Sequence, residues 1–328
     1  MRIQWLYVAM LTGLVAGALP TLPAVAQGTG KPTVRAVHVS KAPAGLDDPI
    51  WSQANAVEIP CVGKEALAGR KEVVATQAVY TDGEVHFRFT WRDSTLSVTK
   101  EAWRFDGQTW AHLPGNEDRL ALLFEIHRID QFATRACAVT CHVPQGSATA
   151  KGGKFGTASA AEKGDLWHWK AARSDPAGFA DDTWLTQISD QAGGRKSDAG
   201  KGGDKRNVTE DKSKPLYMKS PDKALGKYGV LLAADAVEIR DYSLFKPGDT
   251  ITYRLPVAPE GSVADIKALS RHVDGRWTLM LSRRLDTGND DDVAFNPQRK
   301  YSFAMAVFDD SGDENSLDSE ALSLEFAR

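Results

Sequence analysis

Along the chain, short apolar runs alternate with turn-forming clusters, and several of the runs have a period of two. Residues 73–80 and 85–91 are apolar, β-branched and aromatic, with Asp82-Gly83 between them. That pattern predicts a hairpin closed by a tight turn that tolerates positive φ. Further strands are predicted over residues 120–126, 250–257, 277–285, 301–308 and 322–326. In the last of these, Leu322, Leu324 and Phe326 alternate with Ser323 and Glu325, as a strand with one buried face requires. No long, well-capped amphipathic helix competes. Many strands separated by turn signals predict a mainly β protein, a single β-sandwich.

Two long stretches interrupt the strands. Residues 129–182 read as irregular but are rich in Trp and His, which argues for a functional loop over a disordered one. Residues 192–214 are rich in Gly, Lys and Asp with almost no apolar side chain, and read as a flexible polar surface loop. The start of the chain reads as a signal peptide over residues 1–26. Arg2 supplies the positive end, an apolar core runs from Leu6 to Leu19, and Ala24-Val25-Ala26 suits cleavage. The apolar core falls short of the roughly 20 residues of a membrane span. The expected mature protein, residues 27–328, is one periplasmic domain with no membrane segment after cleavage. A net charge of −3 with dispersed basic residues excludes nucleic acid as the main partner, since phosphate binding needs a basic surface.

The three cysteines, Cys61, Cys137 and Cys141, cannot all pair with one another, and in an oxidising compartment thiols are paired or otherwise occupied. Residues 137–142 read C-A-V-T-C-H. Covalent attachment of haem c normally uses C-x-x-C-H: two thiols add to the vinyl groups, and the adjacent His binds iron. Here the spacer has one residue more, but the Cys141-His142 adjacency is intact. A local disulfide, which would stabilise weakly, and half a zinc site, which would need further ligands, are the competing chemistries. On the haem reading Cys137 and Cys141 carry one covalent haem c and His142 is the proximal iron ligand. Candidates for the distal ligand are Cys61, His168 and Met218, beside an open position. Trp167, Trp169 and Trp103 are candidate pocket walls. His38, His86, His112, His127 and His272 read as structural or exposed, and Asp181-Asp182 as a turn or a calcium-binding pair.

Several short segments, taken in order, resemble one known family. They are GLDDPIW (45–51), FTWRD (89–93), EDRLAL (117–122), the cysteine motif, DLWHWKA (165–171), ADD (180–182), GRW (275–277), RRL (283–285) and FAMAVFD (303–309). Together they resemble the haem-binding domain family of the ethylbenzene dehydrogenase gamma subunit and related dimethyl sulfoxide reductase-like complexes, in its c-type cytochrome branch. The resemblance implies a β-sandwich similar to family 9 carbohydrate-binding modules, with long haem-carrying loops. It also implies, as partners, periplasmic redox proteins or a molybdenum oxidoreductase complex. The b-type members hold haem between Met and Lys, and the Lys would fall near residues 313–319, where this chain has no Lys, Met or His. The expected function is single-electron transfer by a monohaem c-type cytochrome, alone or as a relay subunit. A carbohydrate- or ligand-binding module without haem, and a haem protein that binds a small molecule such as nitric oxide, are the alternatives.

Overall fold

Residues that alternate between apolar and polar, or that are apolar on both sides, pair into one extended sheet. The computed structural model describes residues 31–64, 67–140, 155–188, 193–312 and 316–327. Among these, thirteen strands make a single sheet. In chain order they are β1 (Thr33–His38), β2 (Val57–Gly63), β3 (Lys71–Tyr80), β4 (Glu84–Arg92), β5 (Arg119–His127), β6 (Lys163–Lys170) and β7 (Asp181–Leu185). They continue with β8 (Arg195–Ser197), β9 (Lys267–His272), β10 (Arg276–Arg284), β11 (Tyr301–Phe308), β12 (Leu317–Ser319) and β13 (Leu322–Ala327). The hydrogen-bonded order is β8-β7-β6-β5-β11-β12-β2-β3-β4-β10-β9, and β1 and β13 pair with each other and bridge β3 to β11.

The sheet folds over so that its two wings face each other. Phe87 of β4 lies 6.3 Å from Phe124 of β5 and 6.0 Å from Trp167 of β6, and Trp91 lies 6.0 Å from Trp169 (ring centroids). The inner faces thus close a core of Val34, Ile59, Cys61, Phe87, Leu122, Trp167, Trp277 and their neighbours, which makes the fold the predicted β-sandwich. Asp48 caps the turn Pro49–Gln53 by accepting from Ile50 N at 2.9 Å, and Trp51 Nε1 donates to Gly45 O at 2.9 Å. The segment GLDDPIW is therefore a structural staple.

Three expectations are corrected. The hairpin of β3 and β4 forms, but neither Asp82 nor Gly83 has positive φ; Thr81 Oγ1 instead accepts from the amides of Gly83 and Glu84. Residues 129–182 are not irregular throughout, because β6 lies within them and β7 begins at their end, both as interior strands of the sheet. Residues 195–206, expected within a flexible polar loop, pair at three places: β8 with β7, Gly200–Lys201 with Glu260–Gly261, and Asp204–Arg206 with Arg254–Pro256. At Gly200 a Cβ would stand 1.9 Å from Glu260 O, so glycine permits a backbone approach that composition alone reads as disorder. The leader expected over residues 1–26 lies outside the described residues. No helix among the described residues is long and apolar enough to cross a membrane.

Candidate functional site

Directly opposed residues of antiparallel strands share a face, so register decides which side chains meet. His168 of β6 opposes Ala121 of β5, Ala121 opposes Ala306 of β11, and Ala306 opposes Asp318 of β12. This row lies on the outer face of the sheet. Leu120, Leu122, Phe303, Met305, Trp167 and Trp169 point the other way, into the sandwich core. The three alanines Ala121, Ala304 and Ala306 leave a shallow floor, walled by Leu123, Phe155, Leu166 and Phe308. With His168, Arg195, Ser316 and Asp318 they line a shallow pocket on this face.

The segment that leads to the cysteine motif packs on this same face. Phe132, Ala136 and Val139, from the short helical turns Phe132–Arg135 and Ala136–Val139, join Ala121, Leu123, Leu166, Ala304 and Phe308 in one apolar cluster. Thr140 and Gly156 are tied together by Gly156 N donating to Thr140 O at 3.1 Å, and Phe155 O accepts from Gly194 N at 2.7 Å. Thr140 and Phe155, the described residues on either side of 141–154, are thus held close together in space. Ala136, just before Cys137, has φ 51° and ψ −140°, a conformation that costs on the order of 1–3 kcal/mol for a residue with a Cβ. Cys141 and His142, and the side chain of Cys137, lie outside the described residues.

His168 is buried. Its Nδ1 sits 3.2 Å from an NH2 nitrogen of Arg195. A guanidinium can only donate, so Nδ1 accepts and the neutral ring carries its proton on Nε2. That Nε2 has no hydrogen-bond partner among the described residues. Burial first, and then the charges of Lys170, Arg195 and Arg119, hold the imidazole well below its ordinary pKa of 6.5. The site thus offers an apolar floor, a neutral N–H donor and a cationic border. The linkage sign follows: with the folded-state pKa lowered, only the unfolded chain takes up a proton near pH 6.5. The associated stability is complete above that value and is lost as pH falls towards the folded-state value. Replacing His168 by Gln is expected to flatten the decline of stability between pH 7 and 5 by up to about 1.4 kcal/mol per pH unit. Urea melts at several pH values check it; parallel pH profiles for the two proteins would contradict it.

The structure brings together His168 and the Cys137 segment but separates the other expected site residues from them. Cys61 opposes Ser319 in β2 and is fully buried in the inner core, so the sheet itself stands between it and the outer face. Trp167 and Trp169 are core residues, not walls of this pocket, because strand period two turns them opposite to His168; Trp169 Nε1 donates to Asp175 at 2.8 Å. Trp103 stacks on His112 at 3.8 Å and donates to Asn207 O, and Met218 opposes Val237 in a separate two-stranded ribbon. His38, His86 and His272 hydrogen-bond to Asp82, Ser282 and Asp93 O respectively. In the acidic pair, Asp181 makes a short ion pair with Lys170 while Asp182 turns inward. Arg195 and the alanine floor were missed. The available signal was the small residues alternating with large ones in Leu120-Ala121-Leu122 and Ala304-Met305-Ala306.

A family model described as ethylbenzene dehydrogenase matches residues 48–319. No curated protein matches the chain. Among solved structures, a family 9 carbohydrate-binding module from Caldicellulosiruptor kristjanssonii in complex with glucose is similar at 8% identity, over 90% of this chain and 95% of that one, with a TM-score of 0.38. The same kind of module in complex with cellotriose is similar at 8% identity over the same shares, with a TM-score of 0.37.

Proposed function

Because the chain belongs to the ethylbenzene dehydrogenase family, we propose that it is an exported monohaem c-type cytochrome that passes single electrons, alone or as a relay subunit of an oxidoreductase complex. The observation that carries this reading is the outer-face pocket. Phe132, Ala136 and Val139, which lead to the cysteine motif, and Phe155, which follows it, pack over an alanine floor beside a buried imidazole.

The residues fit the chemistry of a porphyrin. Three methyl groups on a flat sheet face accept a planar apolar ring, and Leu123, Leu166 and Phe308 exclude water from it. A porphyrin also carries carboxylates on one edge, and the Nε2–H of His168 among the charges of Lys170, Arg195 and Arg119 suits such a group. Cys137 and Cys141 would hold the ring through thioethers and His142 would bind its iron. When bound, haem supplies a ferric/ferrous couple. In this reading His168 would donate from Nε2 to the bound group, because an imidazole that carries its proton on Nε2 cannot offer that nitrogen to a metal. Cys61 is a small core residue on the other face. No acid–base pair or nucleophile is needed for this role.

Full-length protein produced with c-haem maturation machinery is expected to be red, with α and β absorption bands after reduction. A colourless, correctly folded product would overturn the reading.

A further inference from the structure

We propose that Asp165, Asp182, Asp198 and Asp292 form a calcium site where β6, β7 and β8 meet the loop between β10 and β11. The proposal is independent of the haem reading. Asp165 lies on β6, Asp182 on β7, Asp198 directly after β8, and Asp292 after the hairpin strand β10. All four are buried; Asp182 is 0% exposed and Asp198 5%. Asp165, Asp182 and Asp292 converge so that one oxygen from each lies within 4.8 Å of the others, and Asp292 converges likewise with Asp198 and Asp291.

Among the described residues, one cation serves this cluster. Arg283 Nη1 donates to Asp165 Oδ2 at 2.6 Å and Asp292 Oδ1 at 3.1 Å, and stands 4.0 Å from Asp182 Oδ2. Val293 N also donates to Asp165 Oδ2, and Thr287 Oγ1 to Asp292 Oδ2. Five carboxylate oxygens then have no hydrogen-bond partner among the described residues: Asp165 Oδ1, both oxygens of Asp182 and both of Asp198. Buried carboxylates in proteins are paired, hydrogen-bonded or bound to metal, and with all four aspartates ionised a single guanidinium would leave a surplus of three negative charges. A bound dication would lower that surplus to one.

The donor set selects the ion. Only oxygen ligands are present, which excludes a preference for zinc or copper. Calcium accepts six to eight oxygens at about 2.3–2.6 Å in flexible geometry, whereas magnesium demands a strict octahedron and keeps several waters. Five unclaimed oxygens, from Asp165 on β6, Asp182 on β7 and Asp198 directly after β8, suit calcium. Asp181, its sequence neighbour, takes no part, being committed to Lys170 on the other side of the strand.

The test uses the full-length chain, stripped with EDTA and dialysed, then titrated with CaCl2 by calorimetry and followed by thermal unfolding. Binding of a single calcium ion is expected, with a midpoint raised by about 5 °C at roughly 100-fold excess over Kd, and little response to MgCl2. Asp182→Asn and Asp198→Asn are expected to abolish the calcium response. Both should fold, with metal-free midpoints at or above that of the parent, because the amide removes a repelling charge. No binding up to millimolar calcium, or an undiminished response in both variants, would overturn the site. An equal response to MgCl2 would overturn the choice of calcium.

Discussion

Replacement of Arg283 by Met will destabilise the metal-free protein by about 3–5 kcal/mol, the usual consequence of removing one partner from a buried ion pair. Arg283 is fully buried, stacks over Trp167 at 4.7 Å, and is the hydrogen-bonded counter-charge to Asp165 and Asp292. Methionine keeps much of the apolar stem but leaves the carboxylates facing one another. The cost should depend on pH in a stated direction. Burial first, and then neighbouring carboxylates, push Asp198 up to about 8, and Asp165 and Asp182 are raised as well. Groups raised in the folded state contribute stability that is complete below the unfolded value near 4 and is lost as pH rises through the folded value. The variant should therefore lose more at pH 8 than at pH 5. Urea unfolding in the presence of chelator measures both quantities. A loss under about 1 kcal/mol at pH 8, or a larger loss at pH 5, would contradict the assignment of charge in this cluster.

On the proposed haem reading, Ala306→Phe is expected to strip most of the haem from the protein while leaving the sandwich folded. Ala306 lies on the pocket floor between Ala121 and Asp318. A ring placed there projects into the open space outside the sheet, so overpacking stays at the low end of the ordinary 1–3 kcal/mol. Cys61→Ala is the control on the opposite face. It should cost about 1–2 kcal/mol of stability, as a small truncation in a packed core does, and leave haem content unchanged. Haem per chain, from the absorbance of the purified variants, separates the two. Normal haem in Ala306→Phe, or haem lost only in Cys61→Ala, would place the cofactor on the wrong side of the sheet for this account.

The strands that face the core on one side were legible in the amino-acid pattern. Tyr301–Phe308 has its predicted bounds, and the alternation of Leu322 and Leu324 with Ser323 is reproduced in their burial. Residues 120–126 were legible too, although β5 is covered on both faces, because Leu120 to Phe124 are all apolar. What escaped was β6, which mixes Asp165, His168 and Lys170 with its aromatics. From Gly164 to Lys170 every residue is buried, so no polar alternation marks β6, and Trp-His-Trp reads as an aromatic loop. That misreading has a chemical consequence, since only in a strand do Trp167 and His168 face opposite sides. Arg195 escaped because Gly- and Lys-rich composition reads as a solvated loop, although glycine is what lets that segment pair. The aspartate cluster is assembled from positions 165, 182, 198 and 292, too far apart for any local pattern. Asp182 stood in an acidic pair and Asp292 in the run Asp290-Asp291-Asp292, but nothing local joins the two.

The central claim is that the Cys137 and Cys141 thiols hold a porphyrin over the outer face. Proteolysis of the purified, natively matured protein and mass measurement of the peptide containing both cysteines tests it most directly. The account predicts a peptide heavier by one haem. A peptide lighter by two hydrogens, with Cys137 joined to Cys141 and no tetrapyrrole anywhere in the sample, would contradict it.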